Sequence, residues 1–158
     1  MKPEGLDCLE ISGDAWRDTG FKSYANVSFP SFDICRDRLA ISNYDMIIAE
    51  QVFEHISDPQ WAAENVFQGL RPGGTFVITL PFLVRWHPMP IDNQRWTAPG
   101  LKLFLERAGF SHVEAWMWGN RDCLIANLDD WPIYNPGKHS LKNDPAFPVV
   151  VWGVARRG

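Results

Sequence analysis

"YDMIIAEQVFEHI", residues 44–56, begins with a run that is apolar at nearly every position and turns polar at Glu50 and Gln51. A strand without alternation is buried on both faces, and such strands belong to parallel sheets covered by helices. Downstream, Ser57-Asp58-Pro59 supplies a cap and a first-turn proline. Ala62, Ala63, Val66, Phe67 and Leu70 then follow helical spacing until Arg71-Pro72-Gly73-Gly74 ends the run. Thr75 to Leu80 reads as a second buried strand. Thr97-Ala98-Pro99 opens a second helix, with Leu101, Phe104, Leu105 and Ala108 on one face and Gly109 at its end. Residues 111–118 alternate like a half-exposed strand, 119–145 read as a short helix followed by a long polar loop, and 148–155 as a late strand. Upstream, Cys8 to Ile11 is a short strand closed by Ser12-Gly13-Asp14. The pattern predicts an α/β fold with a mostly parallel sheet, helices on both faces, and strands near 6–11, 44–49 and 75–80 adjacent at its centre. Ligands of such sheets sit beyond the carboxyl ends of the strands.

The 158 residues, 46% of them hydrophobic, suit one compact domain over 1–158. With a net charge of -4 and 15 scattered Lys and Arg, the chain lacks the basic face that nucleic acid requires. No apolar run approaches the roughly 18–20 residues that span a bilayer, so a soluble, cytoplasmic protein with no membrane partner is expected. Cys8, Cys35 and Cys123 are odd in number and far apart, which predicts buried thiols rather than a disulfide framework, and no metal-ligand spacing is evident. Trp86, Trp96, Trp116, Trp118 and Trp131 lie in the second half, either as an aromatic core or as pocket walls.

"YDMIIAEQVFEHI" (44–56), "LRPGGTFVITLP" (70–81) and "RWTAPGLKLFLERAGF" (95–110) stand in an order and spacing that resembles the second half of a class I S-adenosylmethionine-dependent methyltransferase of the type 11 group. The resemblance is strong over 44–110 and weak over 6–43. It implies a Rossmann-like sheet and S-adenosylmethionine as cofactor. "LEISG" (9–13) aligns with the family's first motif, so Glu10, Ile11, Ser12 and Gly13 would line the methionine end of the cofactor, with Gly13 allowing backbone to approach ligand. Here the chain departs from the family. Further glycines and a full helix before the next strand are missing from "DAWRDTGFKSY", so the cofactor loop is shortened. A nicotinamide-dependent oxidoreductase fits less well still, because the phosphate-cradling glycine loop is absent.

Asp33 follows Gly13 at the spacing of a ribose-binding acid. The gapless match of "FDICRDRLAISNYDMI" to the family favours the acid that meets the adenine amino group instead, with a solvated turn aspartate as the plain alternative. Glu50, Gln51 and Val52 would touch the cofactor at the strand end. His55 matches a frequent family histidine that either orders the loop or moves a proton. His87, Asp92 and Arg95 in "RWHPMPIDNQRW" suit either a substrate-binding rim or a surface loop fixed by an Asp–Arg pair. Methyl transfer is dominated by positioning. A hydroxyl or amine acceptor would still have to lose a proton, for which His55 and His87 are the catalytic candidates. The expected function is S-adenosylmethionine-dependent methyl transfer to a small-molecule acceptor, a sugar or glycan precursor among the possibilities. The rival is a degenerate domain of this type serving as a non-catalytic binding or structural subunit. The sequence leaves the oligomeric state open.

Overall fold

The computed structural model describes residues 2–129 and 133–158, without the side chain of Asp129; Trp131 lies outside them. The elements run β1 (Asp7–Ile11), β2 (Ser23–Val27), β3 (Tyr44–Glu50), α1 (Pro59–Gly69), β4 (Leu70–Pro81), α2 (Ala98–Arg107), β5 (Ser111–Trp118), α3 (Arg121–Asp129) and β6 (Val150–Arg156), with short 3-10 turns between some of them. Six strands form one sheet in the order β2-β1-β3-β4-β6-β5. The pairs β1–β2, β1–β3 and β3–β4 are parallel, and β6 runs antiparallel to both β4 and β5. β1, β3 and β4 are therefore neighbours at the centre, as their uninterrupted apolar runs predict.

The register Leu9↔Ile47, Ile47↔Phe76 and Phe76↔Ala155 puts these four side chains on one face. They belong to a single core cluster with Ala62, Ala63 and Val66 of α1 and Leu101 and Leu105 of α2. Gly69 lies against Leu39 and Ile47, and Gly153 lies against Leu101 and Leu105. Both helices thus press on the same face. Phe76 joins the two by stacking on Phe110 and meeting Phe53, contacts that add to plain area burial. On the opposite face Cys8 and Ile48 are buried, Met46, Val77, Trp152 and Val154 are half-buried, and Trp116, stacked on Trp152, is exposed. Both helices start as the sequence suggests. The Asp58 carboxylate accepts from the Trp61 N–H and the Thr97 hydroxyl accepts from the Gly100 N–H, each followed by a proline in the first turn.

The irregular first stretch of β4 needs both its glycines, for different reasons. Gly73 has φ +79, and a Cβ on Gly74 would stand 2.8 Å from the Arg71 carbonyl oxygen and 3.1 Å from Leu70 Cδ2. Positive φ thus explains Gly73 alone, and close packing explains Gly74. Gly74→Val is expected to lower the melting temperature by several degrees while leaving ligand selectivity unchanged. A variant that melts with the parent in a circular-dichroism scan would refute the close approach.

At the amino ends of the strands, Arg71 Nη1 bridges Asp7 Oδ2 (2.9 Å) and Asp45 Oδ2 (2.7 Å), and Ser23 Oγ donates to Asp7 at 2.7 Å. The Ser23 hydroxyl, then Lys22 and Arg71, hold the Asp7 carboxyl at about 2. Between that value and the unfolded value of about 3.9, the unfolded chain binds more protons than the native one. Stability from this group is therefore complete above about pH 4 and lost as pH falls toward 2. Melts from pH 5 to pH 2 should show the loss, and Asp7→Asn should flatten it; an Asp7→Asn profile parallel to the parent's would exclude the effect.

Candidate functional site

The carboxyl ends of β1 and β3 lie side by side, and each chain leaves its strand through a left-handed residue that is not glycine, Ser12 (φ 62) and Gln51 (φ 53). Such conformations are uncommon outside glycine and cluster where a site holds backbone in place. Both are pinned. The Ser12 N–H donates to the Val27 carbonyl at 2.7 Å, while the Gln51 N–H donates to the Thr79 carbonyl and its side chain to the Thr79 hydroxyl, at 3.0 and 3.1 Å. Beyond them opens a cavity of about 250 Å³. Its apolar walls include Ile11, Val27, Ile34 and Val52, and its polar groups include Ser12, Asp33, Gln51 and His55. That composition matches small-molecule sites, which are mostly apolar with a few placed polar groups.

The far wall is the 32–37 turn. Asp33 Oδ1 accepts from the Cys35 N–H (2.9 Å), and its own N–H donates to Asp37 Oδ2 (2.7 Å). This turn is tied to α1 by Asn65, buried at 1% exposure, whose Oδ1 accepts from the Leu39 N–H (3.1 Å) and whose Nδ2 donates to the Ile34 and Asp37 carbonyls (3.4 and 2.7 Å). Sequence reading passes over Asn65, because a polar residue inside an apolar helix run carries no sign of its partners.

Among the cofactor residues expected from sequence, Ile11, Ser12, Asp33, Gln51 and Val52 line the cavity, and Glu10, Gly13 and Glu50 do not. Glu10 turns beneath the shortened loop. Its Oε1 accepts from the Ala15 N–H (3.1 Å), and its Oε2 accepts from the Trp16 N–H (3.1 Å) and the Tyr24 hydroxyl (2.6 Å). A Cβ on Gly13 would stand 2.6 Å from Glu10 Oε1, so this glycine gives room to Glu10. Glu50 accepts from Trp16 Nε1 at 3.0 Å.

His55 lines the cavity; His87 stands behind it, with the two rings 5.3 Å apart. Asp92 and Arg95 form the ion pair foreseen for this loop, with Arg95 Nη2 donating to Asp92 Oδ2 at 2.7 Å, and Asp92 also accepts from the His87 N–H at 2.9 Å. The Arg95 guanidinium holds the Asp92 carboxyl at about 2 against the opposing effect of burial. Both residues line a second, open cleft with Trp86, Asn93 and Gln94. Glu54, between the histidines, is fully buried, and burial raises its pKa. Among the described residues no tryptophan lines the main cavity: Trp86 is 73% exposed, and Trp96 packs on Phe104. Cys8 is a buried thiol, pushed up to about 12 by burial, whereas Cys35 and Cys123 are only partly buried. Among the described residues no helix is long and apolar enough to cross a membrane.

A family model described as a methyltransferase domain, Methyltransf_11, matches residues 10–78. A probable S-adenosylmethionine-dependent methyltransferase of Mycolicibacterium smegmatis is 28% identical over 123 residues, 71% of this chain and 48% of that protein. The chain thus spans about half the length of this curated relative. Among solved structures, an S-adenosylmethionine-dependent methyltransferase from Mesorhizobium loti superposes with a TM-score of 0.65 at 16% identity, over 99% of this chain and 93% of that one. Phosphoethanolamine N-methyltransferase 2 of Haemonchus contortus, solved with S-adenosyl-L-methionine, gives 0.62 at 12% identity, over 99% and 49%.

Proposed function

Because a methyltransferase-domain model matches residues 10–78 and the fold matches S-adenosylmethionine-dependent methyltransferases, we propose that the chain is a class I S-adenosylmethionine-dependent methyltransferase that binds S-adenosylmethionine beyond the ends of β1 and β3 and transfers the methyl group to a small-molecule acceptor. The observation that carries this reading is the cavity framed by the left-handed Ser12 and Gln51. Its residues suit the cofactor. Ile11, Val27, Ile34 and Val52 offer apolar surface to a flat base, and Asp33, Ser12 and Gln51 offer polar atoms to its edge and to the sugar.

When bound, the cofactor supplies an activated methyl group on a sulfonium, so the chain has chiefly to position the acceptor in line and exclude water. The second cleft is where we place the acceptor. Exposed Trp86 offers an apolar face beside the polar Asp92, Asn93, Gln94 and Arg95, a combination suited to a polyhydroxylated molecule such as a sugar or glycan precursor. A proton leaving a hydroxyl or amine would pass toward His55, and through the buried Glu54 toward His87.

Calorimetric titration with S-adenosylmethionine tests the cofactor site. Asp33→Ala removes one charged hydrogen-bonding group, worth roughly 1.5–3 kcal/mol, so affinity should fall about ten- to a hundredfold. Equal binding by Asp33→Ala would move the adenosine elsewhere in the cavity. A parent that gives no heat at millimolar ligand would leave the second reading, a non-catalytic binding domain. That reading draws its support from the loop between β1 and β2, where a single 3-10 turn, Arg17–Thr19, stands in place of a helix.

A further inference from the structure

Among the described residues, the buried side-chain oxygens without a hydrogen-bond partner are Thr75 Oγ1 and both carboxylate oxygens of Glu54. A fully buried carboxylate in that condition is costly unless something positive lies against it. What faces Glu54 is two imidazole nitrogens, His55 Nε2 at 3.5 Å and His87 Nε2 at 3.9 Å from Oε1. The other ring nitrogens bear on the tautomers. His55 Nδ1 bonds the Ile91 carbonyl and His87 Nδ1 the Arg85 carbonyl (3.1 Å), and a carbonyl can only accept. These carbonyls favour the Nδ1–H tautomer in both rings, the Arg95 Nη2 contact to His87 Nδ1 being longer at 3.5 Å, and a neutral ring in that tautomer has its lone pair at Nε2. In that tautomer the two Nε2 lone pairs and the Glu54 carboxyl group converge on one point.

We propose that Glu54, His55 and His87 form a two-histidine, one-carboxylate site for a divalent transition-metal ion. Their ligand atoms all lie within 4.8 Å of one another. An ion held at about 2.0–2.2 Å in tetrahedral geometry spaces its ligands by roughly 3.2–3.6 Å, so the 3.5 Å separation fits as it stands, while the 3.9 Å one and the wider spread of the cluster, up to 4.8 Å, must close on binding. The surroundings are those that metal-binding histidines use: a backbone carbonyl faces each Nδ1, and Asp92, itself held by Arg95, stands 3.4 Å from His87 Nδ1. Three protein ligands leave a further position open, as in catalytic rather than structural sites. His55 is shared with the main cavity. The use of the ion rests on the methyl-transfer reading: beside the cavity it would lower the pKa of an acceptor hydroxyl, and in the loaded protein it would replace the proton path through His55, Glu54 and His87. Its binding does not depend on that reading.

The test uses the full chain, stripped with a chelator and titrated with Co(II), with zinc as competitor. One ion per chain is expected, with visible ligand-field bands and no near-ultraviolet thiolate charge-transfer band, which separates this site from the three cysteines. Glu54→Gln and His87→Ala should each weaken binding at least tenfold, and His139→Ala should leave it unchanged. Melting curves keep the proposal testable if affinities are hard to fit. Zinc should raise the melting temperature of the parent and not of Glu54→Gln, while metal-free Glu54→Gln, with a neutral amide in place of the unpaired carboxylate, should melt no lower than the metal-free parent. Absence of bands at millimolar Co(II), or bands that survive both substitutions, would overturn the proposal and leave a cluster that holds only protons. Parallel S-adenosylmethionine titrations of stripped and loaded protein separate the two readings: cofactor binding without metal binding refutes the ion alone, and metal binding without cofactor binding refutes the methyltransferase site alone.

Discussion

Glu10→Ala is expected to remove about 3 kcal/mol of stability and to lower the melting temperature by about 6–12 °C. The carboxylate is 2% exposed and accepts three hydrogen bonds, from the Ala15 and Trp16 N–H groups and the Tyr24 hydroxyl. Truncation leaves those donors without their acceptor and opens a void between the loop and the β1–β2 pair. A bond to a charged group typically contributes about 1.5–3 kcal/mol, and the exposed side of the loop recovers part of the loss through water. Against a typical total of about 5–15 kcal/mol, the change is large. Glu10→Gln should cost less, because an amide oxygen can still accept from two of the three donors. It should also weaken S-adenosylmethionine binding, by loosening the loop that carries Ser12. Melts of the three proteins check the order, and an alanine variant within 2 °C of the parent would show that Glu10 does not anchor the loop.

Asn65→Ala should cost about 2–4 kcal/mol, and its effect should reach the cavity. Asn65 gives α1 its grip on residues 34–39 through three hydrogen bonds, all with backbone. Without them the Leu39 N–H and the Ile34 and Asp37 carbonyls lose their partner, and the wall bearing Asp33, Ile34 and Cys35 keeps only apolar contact, the weak Cys35 thiol contacts with Ser57 and Asp58, and the Arg38 guanidinium over the Trp61 ring. We expect faster proteolysis within 32–40 and a cofactor affinity lowered at least tenfold at temperatures where the variant is still folded. Gln68→Ala, at an exposed position on the same helix, should do neither. An Asn65→Ala protein that binds the cofactor like the parent would detach this wall from the cofactor site.

Continuous apolar runs made β1, β3 and β4 legible, and cap residues made α1 and α2 so, because both signals are local. The apolar signal places the start of β4 at Thr75, whereas the strand begins at Leu70. Arg71 to Gly74 look like a turn, yet Tyr44 pairs with Leu70, and the Gly73 N–H donates to the Arg157 carbonyl. No local signal marks β2. "SYANV" is mostly exposed and pairs with β1 alone, so it carries neither a buried run nor a clean alternation. At the site, residue types pointed to the right loops, but not to the direction of each side chain. Glu10 and Ser12 lie two positions apart, and only the left-handed turn at Ser12 aims one at the cavity while the other goes under the loop. The Glu54–His55–His87 cluster draws on two loops, which no short spacing reveals.

The placement of β6 between β4 and β5 bears on how the molecule is made. On the ribosome, β1, β3, α1 and β4 can assemble early, whereas the edge of β4 must wait for Val150–Arg156, and β5 has no other strand to join. Closing so long a loop is slow, and at about 5–20 residues per second the delay lasts several seconds. During that interval the unpaired Phe76–Leu80 edge is open to strands of other nascent chains. Yield of native protein should therefore respond more to translation speed and chaperone supply than the stability of the finished fold would suggest.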